Sequence, residues 1–207
     1  MKGVWAIVLA AGESLRMGAP KMLLPWKGKT IIEQVVENVL SSEVCGVVLV
    51  LGAEKEGVKN ITSRYNVVHC YNEDYQSGML SSVRCGFNAL PDGCTAVIVM
   101  PGDQPMIEAG EINRVIAARL ESGKGIVMPA YRGRRGHPLL IDSRYREEVM
   151  TLPENEGLRA LAARNPGDVF EAETDDPSVL RDIDTREDYL NELNIINKRW
   201  KRRSDSN

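Results

Sequence analysis

Short apolar runs recur along this 207-residue chain and constrain its fold more than any other feature. They lie at residues 4–9, 47–51, 67–70, 96–100 and 125–128, and valine is their commonest member. These runs lack the polar alternation of a half-exposed strand, so they predict strands that are buried on both faces. Such strands are typical of a parallel sheet that is covered by helices on each side.

Segments with helical periodicity separate the apolar runs. Thr30 followed by Glu33 has the spacing of a capping box, which predicts a helix beginning at residue 31. Apolar residues at helical spacing mark this helix and three later ones: Ile31, Ile32, Val35, Val36, Val39 and Leu40; Met79, Val83, Phe87 and Leu90; Ile112, Val115, Ile116 and Leu120; Tyr189, Leu193, Ile196 and Trp200. The alternation predicts an α/β fold, a doubly wound and mostly parallel sheet with helices on both faces.

The composition excludes several partner classes. Lys and Arg total 26 against 29 Asp and Glu, which gives a net charge of −3. A mildly acidic chain has no global attraction for nucleic acid or for an anionic membrane, and we expect neither as a partner. The four cysteines, Cys45, Cys70, Cys85 and Cys94, show no zinc-binding spacing. We expect them to be reduced, buried side chains of a cytoplasmic protein, with one redox-active thiol as the alternative.

The loop after the first apolar run predicts a phosphate site. In an open α/β sheet, ligands bind at the carboxyl ends of the strands. The small residues in the segment Leu9, Ala10, Ala11 and Gly12 allow backbone N–H groups to approach a phosphate chain closely. Arg16 and Lys21 are the only cations in the loop, and a nucleoside triphosphate requires cations. A plain turn with two solvated basic side chains is the alternative.

Other nucleotide and hydrolase motifs do not fit. The segment 28–30 has the Gly-Lys-Thr ending of a P-loop, but Leu23 stands where the first glycine is required, so a turn followed by a helix cap is the better interpretation. There is no Gly-x-Gly-x-x-Gly for a dinucleotide and no Gly-x-Ser-x-Gly for a serine hydrolase.

Two acidic positions are candidate metal ligands. Asp103 follows the fourth run, which places its carboxylate at the same end of the sheet as the first loop. Asp184 is the second candidate, because Ile183 turned inward on a short strand would place Asp182 and Asp184 on the opposite face. Mg²⁺ commonly takes one or two protein carboxylates together with phosphates and water. The alternatives are a turn-forming Asp103 and an Asp184 or Thr185 that caps the last helix.

Four ordered motifs resemble those of the MobA-like nucleotidyltransferases, and most of all the molybdenum cofactor cytidylyltransferases. They are Leu9-Ala10-Ala11-Gly12-x3-Arg16-Met17-Gly18-x2-Lys21, Pro101-Gly102-Asp103-Gln104-Pro105, Gly136-His137-Pro138 and Asp182-Ile183-Asp184-Thr185. The resemblance extends from residue 4 to about residue 191. It implies a Rossmann-like nucleotidyltransferase fold.

The resemblance also implies roles for individual residues. Arg16 and Lys21 would contact phosphates, and Asp103 with Asp184 would bind Mg²⁺. The residues that would surround the nucleotide are Leu9, Ala10, Ala11, Gly12, Asn72, Gly78, Ser81, Ser82 and Gly102. Gly136 and His137 would lie near the acceptor, although a structural hydrogen-bonding histidine is the commoner case. Ala11, in place of a glycine, is similar to the CTP-using branch.

The implied reaction is the transfer of CMP from CTP to the phosphate of molybdenum-loaded molybdopterin, with release of pyrophosphate. We expect one domain over 1–207, with a nucleotide-binding half at about 1–130 and an acceptor-binding half at about 131–200, where the alternation is less regular. A molybdoenzyme that receives the product would be a further partner. The alternatives are GTP, another phosphorylated acceptor, or a carrier of molybdopterin without catalysis; an oxidoreductase is a more distant one.

Two basic segments complete the candidate sites. Arg132, Arg134 and Arg135 precede His137 and form either a solvated loop or a clamp for the acceptor phosphate. The segment 198–203 is strongly basic, as expected for a solvated helix end, with a docking role as the alternative. Glu156 occupies a position where relatives often have Asp.

Overall fold

A central sheet connects nearly the whole chain in this computed structural model, which describes the backbone of residues 3–204 and the side chains of residues 3–196. The strands are β1 (Gly3–Ala10), β2 (Pro25–Trp26), β3 (Lys29–Thr30), β4 (Val47–Leu51), β5 (Val68–Tyr71), β6 (Cys94–Pro101), β7 (Ile126–Tyr131), β8 (Arg134–Arg135), β9 (Leu139–Asp142) and β10 (Val169–Glu173). The α-helices are α1 (Ile31–Leu40), α2 (Lys55–Thr62), α3 (Met79–Asn88), α4 (Ala109–Ser122), α5 (Arg146–Thr151), α6 (Arg159–Arg164) and α7 (Arg186–Ser204).

The sheet is mixed and mostly parallel, as predicted. Its strand order is β10-β7-β9-β6-β1-β4-β5, and β8 pairs with β7. β1 is parallel to both β4 and β6, and β4 is parallel to β5. β9 runs antiparallel to both of its neighbours, β6 and β7. Each of the apolar runs contributes to a strand, and β9 inserts between two of them.

The two faces of the sheet carry separate cores, and this explains why the runs show no polar alternation. Val8 of β1 packs with α1, α2 and α4 on one face. Its neighbours Ile7 and Leu9 pack with α3, α5 and α6 on the other face. Both sets of side chains are therefore removed from water, and consecutive positions are all apolar.

The capping box at the start of α1 is confirmed. The Glu33 N–H donates to Thr30 Oγ1 at 3.4 Å, and Glu33 Oε2 accepts from the Thr30 N–H at 2.8 Å. Lys27 and Gly28 both have positive φ and form the turn of the β2–β3 hairpin. The Gly-Lys-Thr segment is thus a turn and a helix cap, not a phosphate loop.

Four sequence expectations were wrong in detail. Met79 and Leu120 are 59% and 73% exposed, although their spacing predicted core positions. The segment 182–184 is not a strand, because it pairs with none of the strands in the described part of the chain. The four cysteines are free, as expected, but they are half-buried instead of buried.

None of the described helices is long and apolar enough to cross a membrane. The side chains of the basic segment 198–203 and of Trp200 lie outside the described residues. The division of the chain into two functional halves and its cytoplasmic location stay predictions.

Candidate functional site

The first loop and the acidic turn after β6 meet at one edge of the sheet because β1 and β6 are adjacent parallel strands. The Gly102 N–H donates to Leu9 O at 2.9 Å. A Cβ at Gly102 would lie 2.6 Å from that same oxygen, so only glycine permits this approach of the two chains. The backbone therefore holds Asp103 against the end of β1.

Four charged side chains form one network at this edge. Lys21 Nζ lies 2.7 Å from Asp103 Oδ2 and 3.0 Å from Asp184 Oδ1. Arg16 lies 2.8 Å from Asp184 Oδ2. The Lys21 side chain is 10% exposed and that of Arg16 is 70% exposed, so the network extends from the interior to solvent. The fold thus brings together the four charged residues that the sequence singled out, from three distant segments.

Ile183 places Asp184 in this network. Its side chain is fully buried with Met17, Trp26 and Ile31, and its N–H donates to Asp103 O at 3.1 Å. Burial of the central residue turns the flanking carboxylates toward the site without any strand. Asp184 reaches Lys21 from this anchored segment.

Thr185, not Asp184, caps the last helix. The Asp188 N–H donates to Thr185 Oγ1 at 3.2 Å, and Asp188 Oδ2 accepts from the Thr185 N–H at 2.8 Å. This arrangement is a capping box with Asp in the place of Glu. The Asp184 carboxylate is therefore left to interact with the two cations.

Ion pairing determines the charge states of the network. Burial alone would lower the pKa of Lys21, but the Asp103 carboxylate, and then Asp184, raise it above its ordinary value. Burial alone would raise the pKa of Asp184, but hydrogen bonding and charge from Lys21, and then Arg16, lower it. Burial, followed by repulsion from Asp184 and Asp103, raises the pKa of Asp182.

The acidic pair fits a hard divalent cation. Asp103 Oδ1 is buried and has no hydrogen-bond partner among the described side chains and backbone, which leaves one carboxylate oxygen available as a ligand. Residues 3–196 contain no cluster of three or more His, Cys, Asp or Glu side chains suited to a metal. Two carboxylates nevertheless suit Mg²⁺, since phosphates and water usually complete its coordination. Asp103 and Asp184 are the residues that could hold it.

A cavity of about 290 Å³ opens beside the network. Its lining includes six of the nine residues predicted to surround the nucleotide, together with Lys21 and Asp103: Leu9, Ala11, Gly12, Gly78, Ser82 and Gly102. Ala10 does not line it, because Ala10 packs on the opposite face of the sheet. The lining also includes Tyr75, together with Ser14 and Met79, and the last two were not assigned to the nucleotide from the sequence.

Asn72 and Ser81 support the wall of this cavity from behind. The Asn72 side-chain amide donates to Ser81 Oγ at 2.8 Å and to Ser82 Oγ at 3.0 Å. All three side chains are buried. They join the end of β5 to the first turns of α3, so Asn72 and Ser81 lie behind the cavity lining and are not part of it.

A second cavity of about 460 Å³ adjoins the first and shares Leu9, Met79 and Pro101 with it. Its remaining apolar lining is Leu80, Val99, Met128, Leu139, Leu158 and Ala162, and its polar lining is Arg135, His137, Glu154, Asn155, Glu156 and Arg159. The cavity thus combines an apolar floor with a polar margin. The two cavities adjoin closely enough to hold two substrates side by side.

Gly136 and His137 lie in the wall of this second cavity. A Cβ at Gly136 would lie 2.3 Å from Val179 O, so a side chain there would displace the backbone of residue 179. The His137 N–H donates to the same oxygen at 2.9 Å. Burial lowers the pKa of His137, and the Asp103 charge opposes this only in part. The imidazole is therefore held toward its neutral form.

The basic segment before His137 contributes one residue to the cavity. Arg135 lines it and lies 2.8 Å from Glu171, while half of its side chain remains exposed. Arg132 and Arg134 are exposed and do not line it. Only part of the predicted clamp therefore faces the second cavity.

Arg84 is a residue that the sequence analysis missed. From α3 it donates to Val149 O at 3.3 Å and to Leu152 O, and it pairs with Glu154. These contacts hold the start of the segment 152–158, which lines the second cavity. An arginine on a helix surface gives no sequence signal of such a role.

Comparison with known proteins agrees with this geometry. Residues 6–169 match the MobA-like NTP transferase domain. The molybdenum cofactor cytidylyltransferase of Escherichia coli is 28% identical over 193 residues, which cover 92% of this chain and 95% of that protein. The nicotine blue oxidoreductase of Paenarthrobacter nicotinovorans is 33% identical over 193 residues, which cover 89% of this chain and 93% of that protein.

The fold has a solved counterpart. The crystal structure of Rv0371c from Mycobacterium tuberculosis superposes with a TM-score of 0.83 at 25% identity, over 93% of this chain and 98% of that one. The fold and the resemblance predicted from the sequence are thus confirmed. Because the family match covers residues 6–169, well over half of the chain, this protein is a member of the MobA-like NTP transferase family and a nucleotidyltransferase.

Proposed function

We propose that this enzyme transfers CMP from CTP to the terminal phosphate of molybdenum-loaded molybdopterin and releases pyrophosphate. The convergence of Lys21, Asp103 and Asp184 at the mouth of the nucleotide cavity is the observation that carries the proposal. A carrier without catalysis has no need of a cation and two carboxylates at that mouth. The cytidylyltransferase named above supports the choice of CTP and of the acceptor.

The reaction brings two anions together, and charge neutralisation is therefore its main requirement. A phosphate monoester is already an anionic nucleophile near neutral pH, so no general base is needed. Arg16 and Lys21 would bind the triphosphate and the departing pyrophosphate. To do so, both side chains exchange their present carboxylate partners for phosphate oxygens, and Arg16 is exposed enough to do this without moving through the core.

Asp103 and Asp184 are the proposed ligands of Mg²⁺. When bound, the metal would supply positive charge to the phosphate oxygens. Both carboxylates accept from Lys21 at present, so they would be free to bind a divalent cation when Lys21 turns to the phosphates.

We assign the second cavity to the acceptor. Arg135 lies at its margin and suits an acceptor phosphate, and the apolar floor suits a flat ring system. His137 lines the acceptor side, and the Asp103 charge acts on its pKa from the nucleotide side. Both substrates would thus reach the same edge of the sheet.

An oxidoreductase is a second candidate, because the relative from Paenarthrobacter nicotinovorans carries that name at 33% identity. Such an activity would not require Lys21, Asp103 and Asp184 to converge. It would consume a reduced or oxidised cofactor and release no pyrophosphate.

Pyrophosphate release tests the proposal directly. The purified protein is incubated with Mg²⁺ and each of the four nucleoside triphosphates, with and without molybdenum cofactor. We expect release only when CTP and the cofactor are both present. Release with GTP in place of CTP, or release without the molybdenum cofactor, would redirect the substrate assignment. Turnover of a nicotinamide or flavin without pyrophosphate would favour the second candidate.

A further inference from the structure

Two cysteines face each other behind the nucleotide cavity. Cys70 lies on β5 and Cys85 on α3, and their Sγ atoms are 3.6 Å apart. The Cys85 thiol also lies 3.4 Å from Tyr71 O. Both residues are free and half-buried, so small oxidants can reach them. The proposed reaction uses neither thiol.

The pair encloses the segment that forms one wall of the nucleotide cavity. Residues 71–84 lie between the two cysteines, and Tyr75, Gly78 and Ser82 from this segment line the cavity. Asn72 closes the same segment through its hydrogen bonds to Ser81 and Ser82. A bond between the two sulfurs would therefore join the two ends of the cavity wall.

We propose that Cys70 and Cys85 form an oxidisable dithiol, and that the disulfide between them lowers the affinity of the enzyme for its nucleotide. The oxidant is a low-molecular-weight disulfide such as oxidised glutathione. The Cys85 thiolate attacks one sulfur of that disulfide, the S–S bond breaks, and one glutathione thiolate leaves. The Cys70 thiolate then attacks Cys85 Sγ in the mixed disulfide and displaces the second glutathione thiolate. Both cysteines lose a proton, and the two electrons reduce the glutathione disulfide.

Cys70 is placed in the second step because its Sγ lies 3.6 Å from Cys85 Sγ and because burial, and then Cys85, raises the pKa of its thiol. A thiol that resists ionisation is a slow attacker in water, but it is well placed to resolve a mixed disulfide at a sulfur that it already contacts.

The consequence for the nucleotide follows from distance. A disulfide has an S–S length of about 2.05 Å, so the two sulfurs must approach by more than 1 Å from the present 3.6 Å. Ser82 precedes Cys85 by one helical turn, and its hydroxyl accepts from Asn72 at 3.0 Å. We take this approach to occur by movement of α3 toward β5, which would displace the wall and weaken nucleotide binding by about 10-fold or more. By linkage, bound nucleotide must oppose disulfide formation by the same factor.

The other two cysteines provide an internal control. Cys94 is the first residue of β6 and Cys45 precedes β4, so both lie at the amino ends of their strands, away from the cavities. A Cys45→Ser/Cys94→Ser protein keeps only the proposed pair. Its nucleotide affinity in the reduced state should equal that of the unchanged protein.

The experiment oxidises this double variant with oxidised glutathione and measures two properties. Peptide mapping identifies the disulfide, and calorimetry measures the Kd of Mg²⁺–CTP before oxidation, after it, and after reduction with dithiothreitol. We expect a Cys70–Cys85 disulfide, a Kd raised at least 10-fold, full recovery on reduction, and a smaller equilibrium fraction of disulfide at a fixed glutathione ratio in the presence of CTP. Adding Cys85→Ser or, separately, Cys70→Ser should abolish both the disulfide and the change in Kd.

The outcomes separate this inference from the proposed function, on whose nucleotide it rests. Failure of the reduced protein to bind CTP contradicts the proposed function. In that case the inference is tested without nucleotide: peptide mapping must still find the disulfide, and the disulfide must alter hydrogen exchange in residues 71–84. Absence of the disulfide under conditions that glutathionylate Cys85 overturns the inference. A disulfide that leaves both the Kd and the exchange of residues 71–84 unchanged overturns it as well.

Discussion

The two adjoining cavities differ in the chemistry of the residues that line them. The nucleotide cavity is bordered by charged groups in contact with one another, Lys21 with Asp103 and Asp184, and by backbone that approaches closely at Gly102. The acceptor cavity has an apolar floor, and its polar margin is held from outside by Arg84. The chemistry of the first site follows from its charged residues. The shape of the second site follows from the packing of segments that are distant in the sequence.

This difference assigns separate kinetic consequences to the two sites. Charges that meet the reacting phosphates act on the transition state and therefore on kcat. Residues that shape the acceptor cavity act on the acceptor KM and leave the CTP KM unchanged. Substitutions in each site should separate along this line.

Asp103→Asn should have the largest effect. The substitution keeps the shape of the side chain but removes the charge that faces Lys21 and the candidate metal. We expect kcat to fall by about 10³-fold or more, while the circular dichroism spectrum stays unchanged. Asp142→Asn is the matched control, because Asp142 pairs with Arg119 at 2.6 Å outside both cavities. Near-normal Mg²⁺-dependent turnover in Asp103→Asn would remove this residue from the metal site.

Lys21→Met should have the next largest effect. It removes the ammonium group but keeps most of the buried stem, so two carboxylates remain without their shared cation. We expect kcat to fall by about 10²-fold through lost stabilisation of pyrophosphate. Lys29→Met, at a half-exposed lysine paired with Glu37, is the control. A change confined to the acceptor KM would contradict the assignment of Lys21 to the nucleotide.

Arg84→Ala should act on the acceptor alone. It releases Val149 O, Leu152 O and Glu154, and the segment 152–158 loses its support from α3. We expect the acceptor KM to rise by about 10-fold with little change in the CTP KM. Arg84→Lys should recover only part of the loss, because lysine cannot reproduce a forked set of contacts. Equal changes in both KM values would indicate a general loss of structure instead.

Arg135→Glu should have the smallest of these effects, because half of the Arg135 side chain is exposed and water screens its charge. Reversal of charge should raise the acceptor KM by about 3–10-fold, and added salt should reduce the difference. Arg134→Glu, at an exposed neighbour that does not line the cavity, should change little. If the two variants behave alike, the assignment of Arg135 to the acceptor phosphate is wrong.

The sequence predicts the nucleotide edge of the sheet better than the acceptor side, because local sequence patterns specify the first and packing between distant segments specifies the second. Apolar runs, small residues and a Gly-Asp turn are local signals, and they placed β1, β6 and Asp103 correctly. The meeting of Lys21 with Asp184 depends on the buried anchor Ile183, which the sequence suggested but assigned to a strand that does not form.

Tertiary contacts account for what the sequence did not predict. Arg84 binds carbonyl groups some 65 or more residues away, and no local pattern announces such a partner. Met79 has core spacing, yet it begins α3 at the mouths of both cavities and is exposed there. In each case, segments that are distant in the sequence determine what the side chain contacts.

Binding of Mn²⁺ in the presence of CTP tests the central claim, that Asp103 and Asp184 jointly hold a metal–nucleotide complex, most directly. Titration followed by electron paramagnetic resonance is compared for the unchanged protein, Asp103→Asn, Asp184→Asn and the control Asp142→Asn. We predict that either site substitution weakens Mn²⁺ binding by at least 10-fold and that the control does not. Unaltered Mn²⁺ affinity in both site variants would contradict the account.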